Sequence, residues 1–371
     1  MNARSAWFSG FALLVVWSST VAAQAPPAPV KASGREPTVT FGGLLQVQGE
    51  GGDAGDSRFG TAGDRIYLRR ARLTATARFL EEFDVRVEAE FEGSLAPAAG
   101  LRAQLTDAYI NWSRYPGADV KVGQFKTPFG YEQLYSDPRL PLIERALPSD
   151  RLTLSRQTGV QIGGDFVDKR YGYAVGFFDG GGTNTSSNDD NRFAKVVRGW
   201  TRLARGKSAA GEWSWTASAN GYESHDKSVA IADLGFDSTP TTPDKDGLFA
   251  GKRRGYGLDT QLVVGPVEIW AEMFRTRFEP DDVLPRREFD AKGASLLASW
   301  MFVPNRWQAV VRYESFDPFD GLENDDTTTW TLGTSYLLKG QDLKVMANLF
   351  AVDAPARDRE ERLLVRLQAI F

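Results

Sequence analysis

From Phe83 to Glu92 the chain alternates without a break. Phe83, Val85, Val87, Ala89 and Phe91 share one parity, and Asp84, Arg86, Glu88, Glu90 and Glu92 share the other. A helix would scatter these charges around its circumference. Only a period of two separates them, so the segment reads as a strand lying between an apolar and an aqueous environment. The last residues repeat the pattern: Leu363, Val365, Leu367, Ala369 and Phe371 alternate with a parity holding Arg362, Arg366 and Gln368. The first residues look like an export signal, with Arg4 as the positive start, an apolar stretch from Ala6 to Thr20, and small residues Val21-Ala22-Ala23 before Gln24. An exported chain with such strands points to a transmembrane β-barrel in a bacterial outer membrane.

The cadence holds along the whole sequence. About 16 candidate strands fall at 38–48, 65–79, 83–92, 104–112, 118–126, 158–166, 171–179, 192–203, 212–223, 253–264, 267–278, 288–301, 306–316, 327–338, 341–351 and 360–371. The phase of 192–203 is ambiguous. Connections at 80–82, 113–117, 167–170, 265–266, 302–305 and 339–340 are short. Those at 49–64, 93–103, 127–157, 180–191, 224–252, 279–287, 317–326 and 352–359 are mostly longer and rich in Gly, Asp, Asn, Ser and Pro. Short and long alternate, as they do when one end of a barrel carries periplasmic turns and the other extracellular loops. The expected architecture is therefore all-β: a 16-stranded antiparallel transmembrane barrel over 38–371, preceded by a signal peptide at 1–23 and a flexible Pro/Ala-rich periplasmic extension at 24–37.

Composition agrees. Mean hydropathy is −0.34, and after the signal no run approaches the roughly 18 apolar residues of a membrane helix. A barrel escapes that test because its lipid-facing residues are interleaved with polar ones. The absence of cysteine excludes a disulfide scaffold and thiolate chemistry. A formal charge of −4, or −5 without Arg4, argues against nucleic acid as a partner. Nothing in the residue pattern calls for a cofactor or metal.

Three stretches carry a family resemblance. They are Val122-Gly-Gln-Phe-Lys-Thr-Pro-Phe-Gly-Tyr-Glu132, Leu142-Ile-Glu-Arg-Ala146 and Arg156-Gln-Thr-Gly-Val160, joined by the earlier Arg69-Arg70-Ala71-Arg72-Leu73. Together they resemble the phosphate-selective porin O/P family. The resemblance implies a homotrimeric, 16-stranded, water-filled channel of the Gram-negative outer membrane, with a third external loop folded inward as the constriction. It also implies basic residues along the passage for small anions such as phosphate. The matching positions are Arg70, Arg72, Lys126, Arg145 and Arg156; Arg78, Arg86 and Arg312 are further pore-lining candidates. The constriction loop would contribute Lys126, Glu132, Arg139, Glu144, Arg145 and Arg151. Cations in a narrow, low-dielectric throat favour an anion far more than they do in bulk water.

A plainer reading competes. If 65–79 and 83–92 form a hairpin with residue 79 facing 83, Arg78 meets Asp84, Arg72 meets Glu90 and Arg70 meets Glu92, giving ordinary cross-strand ion pairs. Arg275, Arg312 and Lys344 look lumen-accessible, with Glu272 and Glu314 nearby. Paired arginines would leave a weakly selective diffusion porin. An adhesin or structural barrel with a plugged lumen is the alternative of another class, although Thr74, Thr76, Ser214, Thr216 and Ser218 favour an open lumen. Enzymatic activity is not expected, since the single histidine, His225, sits in a polar loop beside Ser224 and Asp226, and adjacent loop residues do not make a triad. Tyr109, Trp112, Trp213, Trp300, Trp307 and Trp330 near strand ends read as interface girdles. Membrane lipid and lipopolysaccharide are the remaining expected partners; Asp189-Asp190 and Glu323-Asn-Asp-Asp326 read as solvated acidic loops, with a divalent cation bridging lipopolysaccharide as the alternative.

Overall fold

A computed structural model describes residues 37–56, 58–59, 63–93, 101–185, 188, 190–230, 248–281, 288–321, 323–354 and 358–371. The expected signal peptide and all of the extension but Pro37 lie outside them. The strands are β1 (Thr38–Gly52), β2 (Arg65–Phe79), β3 (Phe83–Gly93), β4 (Leu101–Tyr115), β5 (Ala118–Lys126), β6 (Arg156–Phe166), β7 (Tyr171–Phe178) and β8 (Ala194–Ser208) in the first half. The second half holds β9 (Gly211–Ala230), β10 (Leu248–Val264), β11 (Val267–Pro280), β12 (Phe289–Val303), β13 (Trp307–Asp317), β14 (Thr327–Lys339), β15 (Leu343–Asp353) and β16 (Glu360–Ile370). Each pairs antiparallel with its chain neighbours, and β1 pairs with β16 to close the barrel. Closure satisfies every strand edge, which a spanning sheet requires in lipid. At the seam Gly43 and Phe371 exchange backbone hydrogen bonds of 2.7 and 3.1 Å. A Cβ at Gly43 would stand 2.3 Å from the Phe371 ring, so only glycine admits that ring.

The barrel inverts the burial of a soluble protein. Along β16, Arg362, Leu364, Arg366 and Gln368 are buried in the interior, while Leu363, Val365 and Leu367 are 41–49 % exposed outside. Outward rings gather at the turn end: Phe79, Phe83, Trp112 and Tyr115 make one chain of contacts, and Trp300, Phe302, Trp307 and Tyr336 another. Tyr109, expected in the girdle, instead has the inward parity and packs edge-on to Phe125 inside.

Two departures from strict alternation matter. The β1–β2 register jumps from Gln46↔Arg70 to Val47↔Leu68, leaving Arg69 as an extra residue. Such a bulge turns an outward position inward, so Arg69 and Arg70 both reach the lumen side. A second jump, from Val87↔Ala108 to Ala89↔Leu105, does the same for Thr106 and Asp107 opposite Glu88. The ambiguous phase of 192–203 resolves with Ala194, Val196 and Arg198 inward, and a further register jump between Arg202 and Ala204 explains why the pattern blurs. The expected 224–252 loop is shorter than read: β9 and β10 run on to Ala230 and from Leu248, and His225 lies on a strand. Past the lipid, outward positions face water, so the apolar parity that marks a strand in sequence disappears.

Candidate functional site

The segment between β5 and β6, residues 127–155, supplies α1 (Tyr131–Leu134), a 3-10 turn (Asp137–Arg139) and α2 (Leu147–Leu152). It lies against inward residues of the second half of the barrel. Its polar backbone is received by wall side chains. Gly130 N–H donates to Asn220 Oδ1 (3.2 Å). The amides of Tyr131 and Glu132 donate to Glu272 Oε1 (2.5 and 3.1 Å), and Ile143 N–H to Asn348 Oδ1 (2.6 Å). In return Arg366 donates to Ile143 O (2.8 Å), Arg312 to Glu144 O (2.9 Å) and Gln368 to Pro138 O (2.8 Å). Buried backbone groups without partners would be costly, and these bonds remove that cost. Apolar contacts complete the seat: Phe129, Leu147 and Leu152 pack with Phe178, Phe274 and Phe316, while Ile143 packs with Phe59 and Phe350.

At the loop's free edge stands Asp137. Its carboxylate meets Arg72 (2.7 Å), Arg145 and Lys126 (3.6 Å). Burial alone would raise its pKa, but Arg145, Lys126 and the nearby arginines hold it well below the ordinary carboxylate range. The carboxylate thus fills the space among these cations. Glu144 behaves alike: burial opposes ionisation, yet Arg69 (3.5 Å) and Arg366 (2.8 Å) bring its pKa down to about 2. Glu132 is the opposite case. It is buried deeply enough that its pKa is raised despite Arg312 at 3.2 Å.

Asp137 lines cavities on both of its sides. Toward the long-loop end lies a space of about 140 Å³ where Arg58, Arg69, Arg70, Arg145 and Arg151 face Asp137, Glu144 and Asp150. Toward the turn end lies a chamber of about 420 Å³ whose charged lining is Arg72, Arg86, Lys126 and Arg156 against Glu88, Asp107 and Asp137. A second turn-side chamber of about 510 Å³ shares Asp107, Lys126 and Leu134 with it and adds Lys121, Arg198 and Asp259. In each of the three, cations outnumber side-chain carboxylates.

The expected residues divide accordingly. Arg70, Arg72, Arg86, Lys126, Arg145, Arg151 and Arg156 line these cavities. Arg312 does not: it is 1 % exposed beneath the loop, tied to Glu132 and to Glu314 at 3.0 Å. Lys344 is likewise buried against Leu140 O. Glu132 is an internal anchor of the loop rather than part of its free edge, and Arg139 is exposed at the end of the 3-10 turn. Arg275 has the outward parity and pairs with Asp290 on the outer face. Arg78 is 64 % exposed at the turn end and pairs with Asp84 at 2.7 Å, as the hairpin register requires. Arg72 meets Glu90 at 2.6 Å, also as expected. Arg70 differs from the expectation, lying 3.4 Å from Glu90 with its Nε outside hydrogen-bond geometry. The side chain of Glu92 is outside the described residues. Arg86 pairs with Glu88 (2.6 Å) and Arg156 with Asp107 (2.8 Å). Asp190, read as a solvated acidic loop, is instead held by His225 at 2.5 Å, and the imidazole's other nitrogen meets Asp281 at 2.8 Å. Asp189 lies outside the described residues.

Arg58, Arg69, Asp107 and Lys121 were not singled out as site residues from the sequence. The Arg69-Arg70-Ala-Arg72 run held a signal: strict alternation would put one arginine into lipid, and a bulge is the way out.

A family described as phosphate-selective porin O and P matches residues 42–371. No curated protein matches the chain. Among solved structures, a loop-deletion mutant of OmpT, an outer membrane protein of Vibrio cholerae, superposes with a TM-score of 0.64 at 13 % identity, covering 90 % of this chain and 99 % of that one. The anion-selective porin from Comamonas acidovorans gives 0.61 at 14 % identity, covering 91 % and 100 %. The outer membrane channel DcaP of Acinetobacter baumannii gives 0.59 at 13 % identity, covering 90 % and 97 %. These similarities speak to the fold.

Proposed function

This chain belongs to the phosphate-selective porin O and P family and is an outer-membrane porin of a Gram-negative bacterium, and from that premise we propose that it passes small hydrophilic anions passively. The observation that carries the proposal is the excess of cations over side-chain carboxylates in each of the three cavities, two of which Asp137 lines, in a chain whose net charge is −4. An anion in a confined throat interacts with each wall charge at closer range and lower effective dielectric than in bulk. The long-loop end faces the cell exterior and the turn end the periplasm, so a solute meets the arginine cavity first. The functional unit is a homotrimer, an assembly named for OmpT of Vibrio cholerae, whose fold is alike. Permeation needs no catalytic step and no cofactor, and lipid with lipopolysaccharide surrounds the barrel.

The pairing of Arg72, Arg86, Arg145 and Arg156 with carboxylates favours a second reading, a weakly selective diffusion porin. Strict phosphate selectivity is no part of the proposal. The test is the reversal potential of purified trimers in a planar bilayer under a potassium chloride gradient, repeated with phosphate. A chloride-selective current reduced by phosphate supports the anion reading. An unselective current supports the diffusion porin, and a potassium-selective one contradicts both.

A further inference from the structure

The two turn-side chambers differ in their walls. The first combines seven charged side chains with Thr40, Thr74 and Thr76, and its aromatic residues are Phe41 and Phe371. The second, about 510 Å³, is walled by Tyr109, Phe125, Tyr131, Leu134, Tyr135 and Trp200. Its charges are mostly spent. Arg198 and Asp259 form a buried two-pronged pair at 2.8 and 2.7 Å, and Lys126 donates to Tyr135 O at 2.8 Å while leaning on Asp137. Lys121 is different. Its ammonium sits 4.7 Å from the Tyr109 ring and 5.2 Å from the Phe125 ring, and no carboxylate lies within 4.0 Å of it among the described residues. The hydroxyls of Tyr109, Tyr131 and Tyr135 have no protein hydrogen-bond partner among the described residues either.

Hydrated inorganic phosphate gains nothing from such walls, since it carries no apolar surface to remove from water. A planar ring does gain, by stacking on the aromatic faces, and a carboxylate beside it completes the ammonium that the rings only partly satisfy. A cavity of this volume is in the range of small-molecule sites, in which a few placed polar groups set the ligand's orientation. Resting on the anion-porin reading, we propose that this chamber is a binding site for aryl carboxylates, which pass with the ring against Tyr109, Tyr135 and Trp200 and the carboxylate on Lys121.

The experiment is ion-current block of the purified trimeric protein in a planar bilayer at neutral pH, comparing benzoate, acetate, inorganic phosphate and benzyl alcohol. The expected result is a half-blocking concentration for benzoate at least tenfold below that of acetate, with benzyl alcohol weaker than benzoate. Lys121→Gln should erase most of the benzoate advantage over benzyl alcohol, and Trp200→Leu most of its advantage over acetate. A chloride-selective channel blocked equally by benzoate and acetate would overturn the aromatic site and leave the anion porin standing. Equal block by benzoate and benzyl alcohol would overturn the role of Lys121. A potassium-selective current in the same membrane would instead overturn the anion reading itself. The wild-type comparison needs no variant to fold.

Discussion

Arg312 and Arg70 both sit at inward positions of barrel strands, yet they belong to two different walls. On the wall of β9 to β16, Arg312, Glu272, Asn348 and Arg366 hold the backbone of the 127–155 loop, and their polar groups are consumed in that task. On the wall of β2 to β6, Arg70, Lys121 and Arg156 line cavities that remain between the wall and the loop. The difference lies in what covers each residue. Where a loop packs on the wall, an inward charge is structural. Where a cavity remains between wall and loop, the same residue type would, under the proposed function, set the field that a solute feels.

The sharpest way to break this contrast is to remove a structural charge. Glu132→Ala leaves Arg312 buried without one of its carboxylates, and breaking a buried pair costs about 3–5 kcal/mol. The loop should leave its seat, single-channel conductance should rise and anion preference should fall, while heat-resistant migration of the barrel on gels persists. Unchanged conductance would mean that the apolar contacts of Phe129 and Leu147 alone hold the loop.

Charges that line the cavities should act on selectivity and leave assembly intact. A unit charge about 8 Å from a passing ion, at an effective dielectric of about 40–80, contributes roughly 0.5–1 kcal/mol, or about a two- to sixfold change in relative permeability. Asp137→Asn removes the carboxylate seated among Arg72, Arg145 and Lys126. The chloride-to-potassium permeability ratio should rise by about that factor; a fall would show that those cations disperse without their anchor.

Acid separates the walls in another way. Glu144 titrates near 4.5 in an unfolded chain and at about 2 in the seated loop. Its contribution to loop docking is therefore complete above about pH 4.5 and lost as pH falls toward 2. Conductance recorded down this range should show openings of the enlarged size only near its acid end. Enlarged openings already common at pH 5–6 would point to a different titrating group. The smallest effect is expected at Arg78, whose exposed pair with Asp84 at the turn end touches none of the cavities. Arg78→Ala should alter neither reversal potential nor thermal stability measurably.

Much of the barrel was legible in the sequence because lipid on one side and water on the other enforce a period of two. The ranges 65–79 and 118–126 coincide with β2 and β5. The Arg78–Asp84 and Arg72–Glu90 pairs follow from nothing more than the hairpin turn at 80–82. Legibility fails where the two environments stop being different. His225 looked like a loop residue because β9 has left the membrane there, and Arg69 and Asp107 were hidden by bulges that break the parity. The loop's seat was unreadable for another reason. Arg312 and Arg70 present the same local pattern, and only the long-range contact of residues 127–155 with β13 tells them apart.

The most direct test pairs those two arginines. Reversal potentials of wild-type, Arg70→Gln and Arg312→Gln trimers would be recorded in a planar bilayer under one potassium chloride gradient, with single-channel conductance read from the same traces. The expected result is a chloride-selective wild type, an Arg70→Gln channel of similar conductance with its reversal potential moved toward potassium, and an Arg312→Gln channel altered chiefly in conductance. An Arg70→Gln reversal potential equal to that of the wild type, or an Arg312→Gln variant that shifts selectivity at unchanged conductance, would contradict the division of the lumen into a structural and a selective wall.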